Sequence, residues 1–372
     1  MPRSFLILLA AILAGCAKHE SGSELVIRIG SVAPLTGPQS HLGKDNDNGV
    51  RLAASELNAS NLVIGGKKAR IEILSEDDQA DPRTATIVAQ KFVDEGVNGV
   101  IGDLNSGTSI PASKIYSDAG IPQISPSATA IAYTSQGFAT AFRVITNDRQ
   151  QGEALAKFAV DDLKAKSIAV IDDRTAYGQG LADEFVKDAR ALGANIVDRE
   201  YTNDHATDFT AILTSIKGKH PDLIFYGGMD AQSGPMMRQL RNLGSQSLFL
   251  GADGSKSPEF IRLAGQSAEG AYASSPGMPV DKMPGGPEFM KKFEAKYGKI
   301  QIYSPYSYDA TMVMVEAMKK AGSAEPSKYL PWLSKVEWNG VTGPISFDAK
   351  GDIKRSTVTL YRVANGAWKA IN

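Results

Sequence analysis

Short apolar runs rich in Val and Ile alternate along the chain with longer segments in which apolar residues recur at helical spacing. The short runs predict strands and the longer segments predict helices. The predicted strands span residues 25–32, 70–74, 99–102, 167–171, 195–201, 222–226 and 247–250, with extended pieces near 123 and 142. The predicted helices span residues 48–57, 82–95, 109–118, 151–163, 180–192, 209–217 and 231–243. Strands that alternate with long helices predict an α/β fold with parallel sheets covered on both faces.

The alternation falls into two successive sets, which end near residues 146 and 275. Two sets predict two α/β lobes rather than one wide sheet. A stretch rich in Pro and Gly follows at 276–287. Beyond it, we predict helices at 288–297, 305–321 and 328–336, and strands at 345–347 and 357–361.

The N-terminus carries an apolar run at residues 5–14, preceded by Arg3 and followed by Gly15 and Cys16. A membrane-spanning helix needs about 20 apolar residues, so this run is too short. A charged start, a short apolar core and small residues at its end are typical of a secretory signal. The ending LAGC (13–16) resembles a bacterial lipobox, which implies cleavage before Cys16 and acylation of its thiol. The alternative is an ordinary signal, or a buried segment with an incidental cysteine.

We therefore predict a lipoprotein signal peptide at residues 1–15 and a flexible tether of small polar residues at 16–24. Acylation of Cys16 would anchor the protein to a membrane, in the periplasm or at the cell surface, without a spanning segment.

Composition narrows the classes of function. The 372 residues include 40 Lys and Arg and 41 Asp and Glu, a formal charge of -1. That balance argues against a nucleic-acid partner, since phosphate binding needs a basic surface. The single cysteine, Cys16, excludes a disulfide framework and a multi-thiolate metal cluster.

Common catalytic signatures are absent from the sequence: there is no nucleophile elbow, phosphate loop or HEXXH metal pair. The four histidines, at positions 19, 41, 205 and 220, lie in predicted loops, and we expect them to be solvated surface residues. Asp81 and Pro82 are typical of a helix start rather than of a calcium loop. These observations favour a non-enzymatic protein without a cofactor.

Two loops rich in hydroxyl groups follow predicted strands, at 102–109 (GDLNSGTS) and 125–129 (SPSAT). Ligands of open α/β sheets bind beyond the carboxyl ends of the strands, which is where both loops lie. A strand that leads into a helix presents free backbone N–H groups suited to a carboxylate. Taken singly, each loop is better explained as a plain capping turn.

Several motifs recur in order along nearly the whole chain. They are IGSVAPLTGP (29–38), LG (42–43), GVRLA (49–53), DDQADP (77–82), VIG (100–102), PAS (111–113), SPSAT (125–129), YGQG (177–180), YGG (226–228) and GPISFD (343–348). With the lipobox, they resemble the branched-chain amino-acid ABC transporter substrate-binding proteins, the leucine/isoleucine/valine-binding family. The resemblance implies the type I periplasmic-binding-protein fold, in which two Rossmann-like lobes with parallel sheets are joined by a three-strand hinge. It assigns residues 25–145 plus 276–353 to lobe 1 and 146–275 plus 354–372 to lobe 2.

The resemblance also implies the ligand site. Ser106, Thr129 and the backbone of Ser127 would hold a ligand carboxylate, and Asp253 would hold an ammonium group, although on its own Asp253 is equally a turn residue before a glycine. The remaining positions would line the pocket: Tyr177, Leu42, Met229 and Tyr303. A zwitterion is costly to bury unless both charges are paired, so closure of the lobes would be coupled to binding.

The resemblance implies a monomeric, extracytoplasmic solute-binding protein that captures a branched-chain or related α-amino acid, such as Leu, Ile or Val, and delivers it to an ABC permease. The alternatives are a binding or sensory protein for an amide, an aromatic acid or a dicarboxylate. Two cysteines that some relatives pair are replaced by Ala80 and Asn105. We therefore expect packing alone to hold that part of lobe 1.

Overall fold

The computed structural model of the protein describes residues 24–371. The predicted signal peptide, Cys16 and nearly all of the predicted tether lie outside the described residues. Among residues 24–371, no helix has both the length and the apolar character that a bilayer span requires.

The first lobe begins with six strands and four helices. The strands are β1 (Leu25–Ala33), β2 (Val63–Ile64), β3 (Lys67–Asp77), β4 (Gly99–Ile101), β5 (Gln123–Ser125) and β6 (Ala141–Arg143). The helices are α1 (Ser40–Ala59), α2 (Pro82–Asp94), α3 (Ser106–Asp118) and α4 (Ile131–Ser135). The sheet order is β2-β3-β1-β4-β5-β6. All its pairs are parallel except β2 with β3, as the βαβ pattern predicts.

The second lobe repeats the alternation. Its strands are β7 (Ser167–Asp172), β8 (Asn195–Tyr201), β9 (Leu223–Gly227), β10 (Leu248–Gly251) and β11 (Tyr272–Pro276). Its helices are α5 (Asp148–Lys157), which continues as a π-helical turn (Phe158–Asp162), α6 (Ala176–Ala191), α7 (Thr210–Gly218), α8 (Asp230–Asn242) and α9 (Pro258–Ala264). These strands run parallel in the order β11-β10-β9-β7-β8.

The chain then returns to the first lobe through α10 (Gly286–Tyr297), α11 (Ser304–Ala321) and α12 (Pro326–Leu333). Helix α11 packs on α1 and α12 packs on α11. A small antiparallel pair follows, formed by β12 (Trp338–Asn339) and β13 (Pro344–Ile345). The last two strands, β14 (Val358–Ala364) and β15 (Ala367–Ala370), join the second sheet antiparallel beside β11. The chain therefore crosses between the lobes three times, and the α/β fold with two lobes is confirmed.

The clearest difference from the predicted elements is at α1, which begins at Ser40 rather than at residue 48. Its first two turns are mostly polar, yet Asp45, Asn46 and Asp47 are buried. Helical periodicity is recognised by apolar residues, so a helix face that buries polar side chains escapes it. The predicted strand at 345–347 corresponds to β13, which pairs with β12, and the predicted strand at 357–361 corresponds to β14, which pairs with β11. The two predicted strands therefore belong to different sheets.

Local side-chain chemistry fixes several helix starts. Asp81 caps α2 by accepting a hydrogen bond from the Thr84 amide at 2.7 Å, with Pro82 as the first helical residue. Asn147 and Gln150 form a reciprocal capping box at the start of α5. These caps confirm the reading of Asp81 as a helix start.

Both faces of each sheet are covered by helices. In β7, Ile168 and Val170 point into one apolar cluster, while Ala169 and Ile171 point into another on the opposite face. Phe185 of α6 stacks on Phe225 of β9 with ring centroids 4.0 Å apart. Full burial of each such side chain contributes about 1.5–3 kcal/mol.

A buried ion pair ties the first and third crossings together. The Arg143 side chain, at the end of β6, is 0% exposed, and its Nε lies 2.6 Å from Asp352 Oδ1. The other carboxylate oxygen of Asp352 accepts a bond from Asn147 Nδ2 at 3.1 Å. Burial alone would raise the pKa of Asp352, but the Arg143 charge and three hydrogen bonds outweigh it and hold this pKa below its usual value. Asp352 is therefore ionised and paired.

The same guanidinium holds the loop that follows β5. It donates to the carbonyls of Ala128 at 2.9 Å and Ala130 at 3.0 Å, and to the Thr134 hydroxyl at 2.7 Å. Gly351 permits the approach of the two segments, since a Cβ there would lie 2.1 Å from the Ala141 carbonyl oxygen. One arginine thus positions both the hinge and residues 128–130.

We predict that Arg143→Met lowers the free energy of unfolding by about 3–5 kcal/mol, because it leaves the Asp352 charge buried without its partner. Urea unfolding followed by circular dichroism measures the change. Arg149→Met, at an exposed position on α5, is the matched control and is expected to change stability by less than about 0.5 kcal/mol. Equal effects of the two substitutions would contradict the role given to Arg143.

Candidate ligand site between the lobes

A cavity of about 10 Å³, room for about one water molecule, lies between the lobes, beyond the carboxyl ends of their strands. Lobe 1 contributes Leu104, Asn105, Ser106, Ser127 and Tyr303, and lobe 2 contributes Tyr177, Met229 and Asp253. Six residues predicted for the ligand site therefore line one cavity: Ser106, Ser127, Tyr177, Met229, Asp253 and Tyr303. Leu42 and Thr129 are fully buried and are not part of its lining.

Asp253 is the acidic residue of the cavity and is held by a tyrosine from each lobe. Its Oδ1 accepts a hydrogen bond from the Tyr177 hydroxyl at 2.7 Å, and its Oδ2 accepts one from the Tyr303 hydroxyl at 2.8 Å. Burial, and then the negative charge of Asp253, raise the pKa of both phenols well above the usual value, so both remain protonated donors. The carboxylate is thus fixed at the centre of the interface between the lobes.

Tyr303 reaches Asp253 because a second buried acid positions it. Asp45 of α1 accepts backbone N–H bonds from Ile302 at 3.0 Å, Tyr303 at 2.8 Å and Ser304 at 2.9 Å through Oδ2. These amides open α11, where the positive end of the helix dipole favours a carboxylate. Asp45 therefore fixes the entrance of α11, and with it the Tyr303 side chain.

Lobe 1 faces Asp253 with hydroxyl and amide groups. Ser106 is the first residue of α3, and its hydroxyl accepts a bond from the Ala130 amide at 3.1 Å, which leaves the hydroxyl proton available. Helix N-termini leave backbone amides without intrahelical partners, and the Asn105 side chain does not cap α3. The Ser127 hydroxyl donates to the Leu104 carbonyl at 3.0 Å, so it braces the loop. Hydroxyl and amide groups on one lobe thus oppose a carboxylate on the other.

A family model described as "Periplasmic binding protein" matches residues 26–367. The chain belongs to the periplasmic binding protein family. This is a family of solute-binding proteins, which confirms the resemblance drawn from the motifs and the expectation of a non-enzymatic protein.

Individual relatives match over nearly their whole length. The Leu/Ile/Val-binding protein homolog 1 of Brucella suis is 35% identical over 97% of this chain and 95% of its own. The leucine-, isoleucine-, valine-, threonine- and alanine-binding protein of Pseudomonas aeruginosa is 33% identical over 95% of this chain and 93% of its own. The crystal structure of the substrate-binding protein LivJ of Streptococcus pneumoniae with isoleucine has a TM-score of 0.84 and 28% identity, and covers 93% of this chain and 99% of that one.

A pair of buried carboxyls braces the loop of this binding protein that leads to Ser106. The Asp78 and Asp103 side chains face each other within hydrogen-bonding reach, and both residues are 0% exposed. Burial raises the pKa of Asp78 to about 6. Burial, followed by the charge of Asp78, raises the pKa of Asp103 well above its usual value. Two such carboxyls share a proton, since both cannot ionise at close range.

This pair corrects the expectation that packing alone holds the first lobe where relatives pair two cysteines. The Ala80 amide donates to Asp78 Oδ1 at 2.9 Å, and Gln123 Nε2 donates to Asp103 Oδ2 at 2.8 Å. Asn105 makes its own contact, from Nδ2 to Gln39 Oε1 at 2.7 Å. Hydrogen bonds among buried polar side chains therefore tie together the loops that carry Ala80 and Asn105.

Thr129 lies behind the cavity beside another buried acid. Its carbonyl accepts the Asp148 amide at 2.8 Å. Burial raises the pKa of Asp148 to about 7, although the Thr129 hydroxyl partly offsets the increase. Leu42 is likewise buried outside the lining, in an apolar cluster that also contains the lining residues Leu104, Met229 and Tyr303.

Four residues of the site were not singled out by sequence reasoning: Leu104, Asp45, Gln151 and, as a lining residue, Asn105. Gln151 Oε1 accepts the Asp253 amide at 3.2 Å and the Ser274 hydroxyl at 2.6 Å, so it anchors the Asp253 turn. Gln151 and Asp45 lie on helices distant in sequence from the residues they hold. In the sequence, the one signal that could have pointed to Asp45 was the polar stretch that forms the first turns of α1.

We predict that Asp103→Asn makes the stability of the protein less dependent on pH between 5 and 8. The pKa values of the pair are raised by folding, so their stabilising contribution is complete at low pH and is lost as pH rises through about 6. An amide at position 103 donates to Asp78 at every pH and removes one ionisation. Urea midpoints of the wild type and the variant at pH 5 and pH 8 measure the difference.

Asp118→Asn, at an exposed position of α3, is the control and is expected to retain the wild-type pH dependence. Titration of the other buried acids is common to all three proteins and cancels in the comparison. Identical pH dependence of Asp103→Asn and the wild type would contradict the shared proton.

Proposed function

We propose that this chain captures a branched-chain α-amino acid, Leu, Ile or Val, by closing its lobes, and delivers it to an ABC permease. The observation that carries the proposal is the arrangement around Asp253. A carboxylate of lobe 2 opposes the hydroxyl and amide groups of lobe 1 across a small cavity. The names of the Brucella, Pseudomonas and Streptococcus relatives support the same ligand class.

The ammonium group of the ligand pairs with Asp253 in this proposal. Asp253 is 1% exposed, and an ammonium in such a place is stable when a carboxylate accepts its hydrogen bonds. The two tyrosine hydroxyls hold the carboxylate in place, and their oxygens offer further acceptors to the cation.

The ligand carboxylate binds on lobe 1, at the first turn of α3. The Ser106 hydroxyl and the uncapped amides of that turn donate to it, aided by the positive end of the helix dipole. Ser127 and the neighbouring loop keep these donors in register through the Leu104 carbonyl. The two charges of a zwitterion are then paired by different lobes, so neither lobe alone satisfies the ligand.

Apolar groups line the part of the cavity where the ligand side chain would lie once the lobes reclose around it. Leu104, Met229 and the rings of the two tyrosines supply this surface, and Leu42 packs behind it. The thioether of Met229 adapts to side chains of different shape. A difference of one methylene is worth about 1–3 kcal/mol, so we expect several aliphatic amino acids to bind with related affinities.

Closure couples these contacts to capture. The cavity of about 10 Å³ is far smaller than common ligand pockets, which span about 300–1,000 Å³. A ligand therefore enters when the lobes part, which separates Tyr303 from Asp253. Reclosure around the ligand restores a carboxylate paired from both lobes, a hinge movement of the kind common in binding proteins.

We predict that Asp253→Asn weakens Leu, Ile and Val binding by at least about 100-fold, because the buried ammonium loses its counter-charge. Isothermal titration calorimetry of the purified protein with each amino acid measures the change. The control Asp183→Asn, a substitution on the outer surface of α6, is expected to bind as the wild type does.

Acetamide, benzoate and succinate extend the same titration, since none carries an ammonium group. Binding of one of these by both the wild type and Asp253→Asn, without binding of amino acids, would overturn the proposal in favour of a different solute. Failure of every amino acid to bind a folded wild type would do the same.

We further propose that Cys16 is acylated and anchors the protein to a membrane through residues 16–24. The lipobox-like ending of the apolar run at 13–16 supports this step. One acyl chain gives weak binding, so stable attachment needs the multiple chains of a bacterial lipoprotein. The lobes are then retained near the permease as a monomer.

We predict that Cys16→Ala shifts the protein from the membrane fraction to the soluble fraction of cells. Metabolic labelling with a radioactive fatty acid, followed by immunoprecipitation, measures acylation directly. Ser23→Ala, within the same tether, is expected to retain both the label and the membrane location. Membrane association of Cys16→Ala at the wild-type level would contradict the anchor.

A further inference from the structure

A histidine of lobe 1 contacts an aspartate of lobe 2 beside the ligand site. His41, in the first turn of α1, places Nε2 2.7 Å from Oδ2 of Asp230, the first residue of α8. The His41 side chain is 23% exposed and the Asp230 side chain is 0% exposed. The expectation that all four histidines are solvated surface residues is therefore wrong for His41.

Asp230 is a fixed anchor within lobe 2. The Ser257 hydroxyl donates to the same Oδ2. Ser257 is itself held, since its oxygen caps α9 through the Phe260 amide at 3.0 Å and its carbonyl accepts Trp368 Nε1 at 2.9 Å. The N-terminus of α8 adds a positive dipole end that favours the Asp230 carboxylate. The anchor therefore stays in place when the lobes part, and His41 moves with lobe 1.

We propose that His41 and Asp230 form a latch between the lobes, made on closure, which strengthens ligand capture as the pH falls. Met229 of lobe 2 and Tyr303 of lobe 1 line the same cavity. Because Asp230 directly follows Met229 at the start of α8, closure of the lobes also brings Asp230 towards lobe 1. A contact present in the closed form and absent from the open form adds to the apparent affinity of any ligand that requires closure. The effect of the latch on ligand affinity therefore rests on the proposed function, whereas the contact between His41 and Asp230 does not.

The charges around His41 set the direction of the pH effect. Burial lowers the pKa of the ring, but the hydrogen bond and charge of Asp230, the charge of Glu259 on α9 and the Pro38 carbonyl outweigh it and raise this pKa above the usual 6.5. The Glu259 charge is partly satisfied by Arg262, whose Nε donates to it at 2.7 Å. Asp230 is therefore the dominant partner of the ring.

Closure takes up a proton at His41. In the open form the ring faces water and titrates near 6.5, whereas in the closed form its pKa is higher. The contribution of the latch to affinity is therefore complete below about pH 6.5 and is lost as the pH rises through the closed-form pKa.

The test is a comparison of ligand affinity at two pH values. Leucine titrations by calorimetry at pH 5.5 and pH 8.5 are made on the wild type, His41→Gln, Asp230→Asn and the double variant. We expect the ratio of Kd at pH 8.5 to Kd at pH 5.5 to fall about fivefold from the wild type to His41→Gln, since about 1 kcal/mol corresponds to that factor. The double variant is expected to resemble either single variant.

His220→Asn is the matched control, because His220 is exposed and far from the cleft, and Asn tolerates its positive φ of 49°. We expect it to keep the wild-type ratio. Buried acids near the site, Asp148 and Asp173, also titrate in this range, but they are present in every protein compared. An unchanged ratio in His41→Gln, or additive effects of the two single substitutions, would overturn the latch.

A measurement without ligand separates this inference from the proposed function. Small-angle X-ray scattering of the ligand-free protein reports the mean separation of the lobes. We expect a smaller radius of gyration at pH 5.5 than at pH 8.5 in the wild type and no such change in His41→Gln. If no amino acid binds, the proposed function fails while this comparison still decides the latch: the same pH response in both proteins would overturn it.

Discussion

The geometry of the site depends on the buried guanidinium of Arg143. Arg143 lies at the end of β6, beside the first crossing between the lobes. Its guanidinium pairs with Asp352 on the third crossing and donates to the carbonyls of Ala128 and Ala130. A buried charge is tolerated when its donors are nearly all used, and here they are shared between a hinge and a ligand loop. One buried cation therefore links the segments that cross between the lobes to the lobe-1 half of the site.

Around this point, the interface between the lobes is built from buried acids that lie close to helix N-termini. Asp45 accepts the opening amides of α11, and Asp230 begins α8. Asp253 differs, because its partners are two phenols from opposite lobes. Asp45 is paired with backbone amides and Asp230 with His41 and Ser257, whereas Asp253 is the one of the three that lines the cavity. Asp253 is consequently the carboxylate of this set best suited to an external cation.

The α/β fold, the two lobes and most helices were predictable, because the spacing of apolar residues shows which faces of the helices and strands pack against other apolar side chains. It does not report burial against polar partners, and the first turns of α1, with Asp45, Asn46 and Asp47, are buried in that way. Six of the eight residues predicted for the site through motif resemblance line one cavity, since motifs mark positions along the chain where composition does not. Gln151, Asp45 and His41 were not predicted as site residues. Each contacts a residue far away in the sequence, and the amino-acid sequence alone does not show which distant residues are in contact.

The two proton-dependent features of the chain act on different equilibria. Asp78 and Asp103 lie within lobe 1 on the loops that brace Ser106, so their shared proton affects whether that lobe is folded. His41 and Asp230 lie on separate lobes, so their proton affects whether two folded lobes meet. Both favour lower pH, the first because two carboxyls are crowded and the second because a histidine gains a carboxylate. A protein that binds its ligand outside the cytoplasm, as proposed here, would meet a variable pH. A fall in pH would then increase both the stability of its fold and its affinity for the ligand.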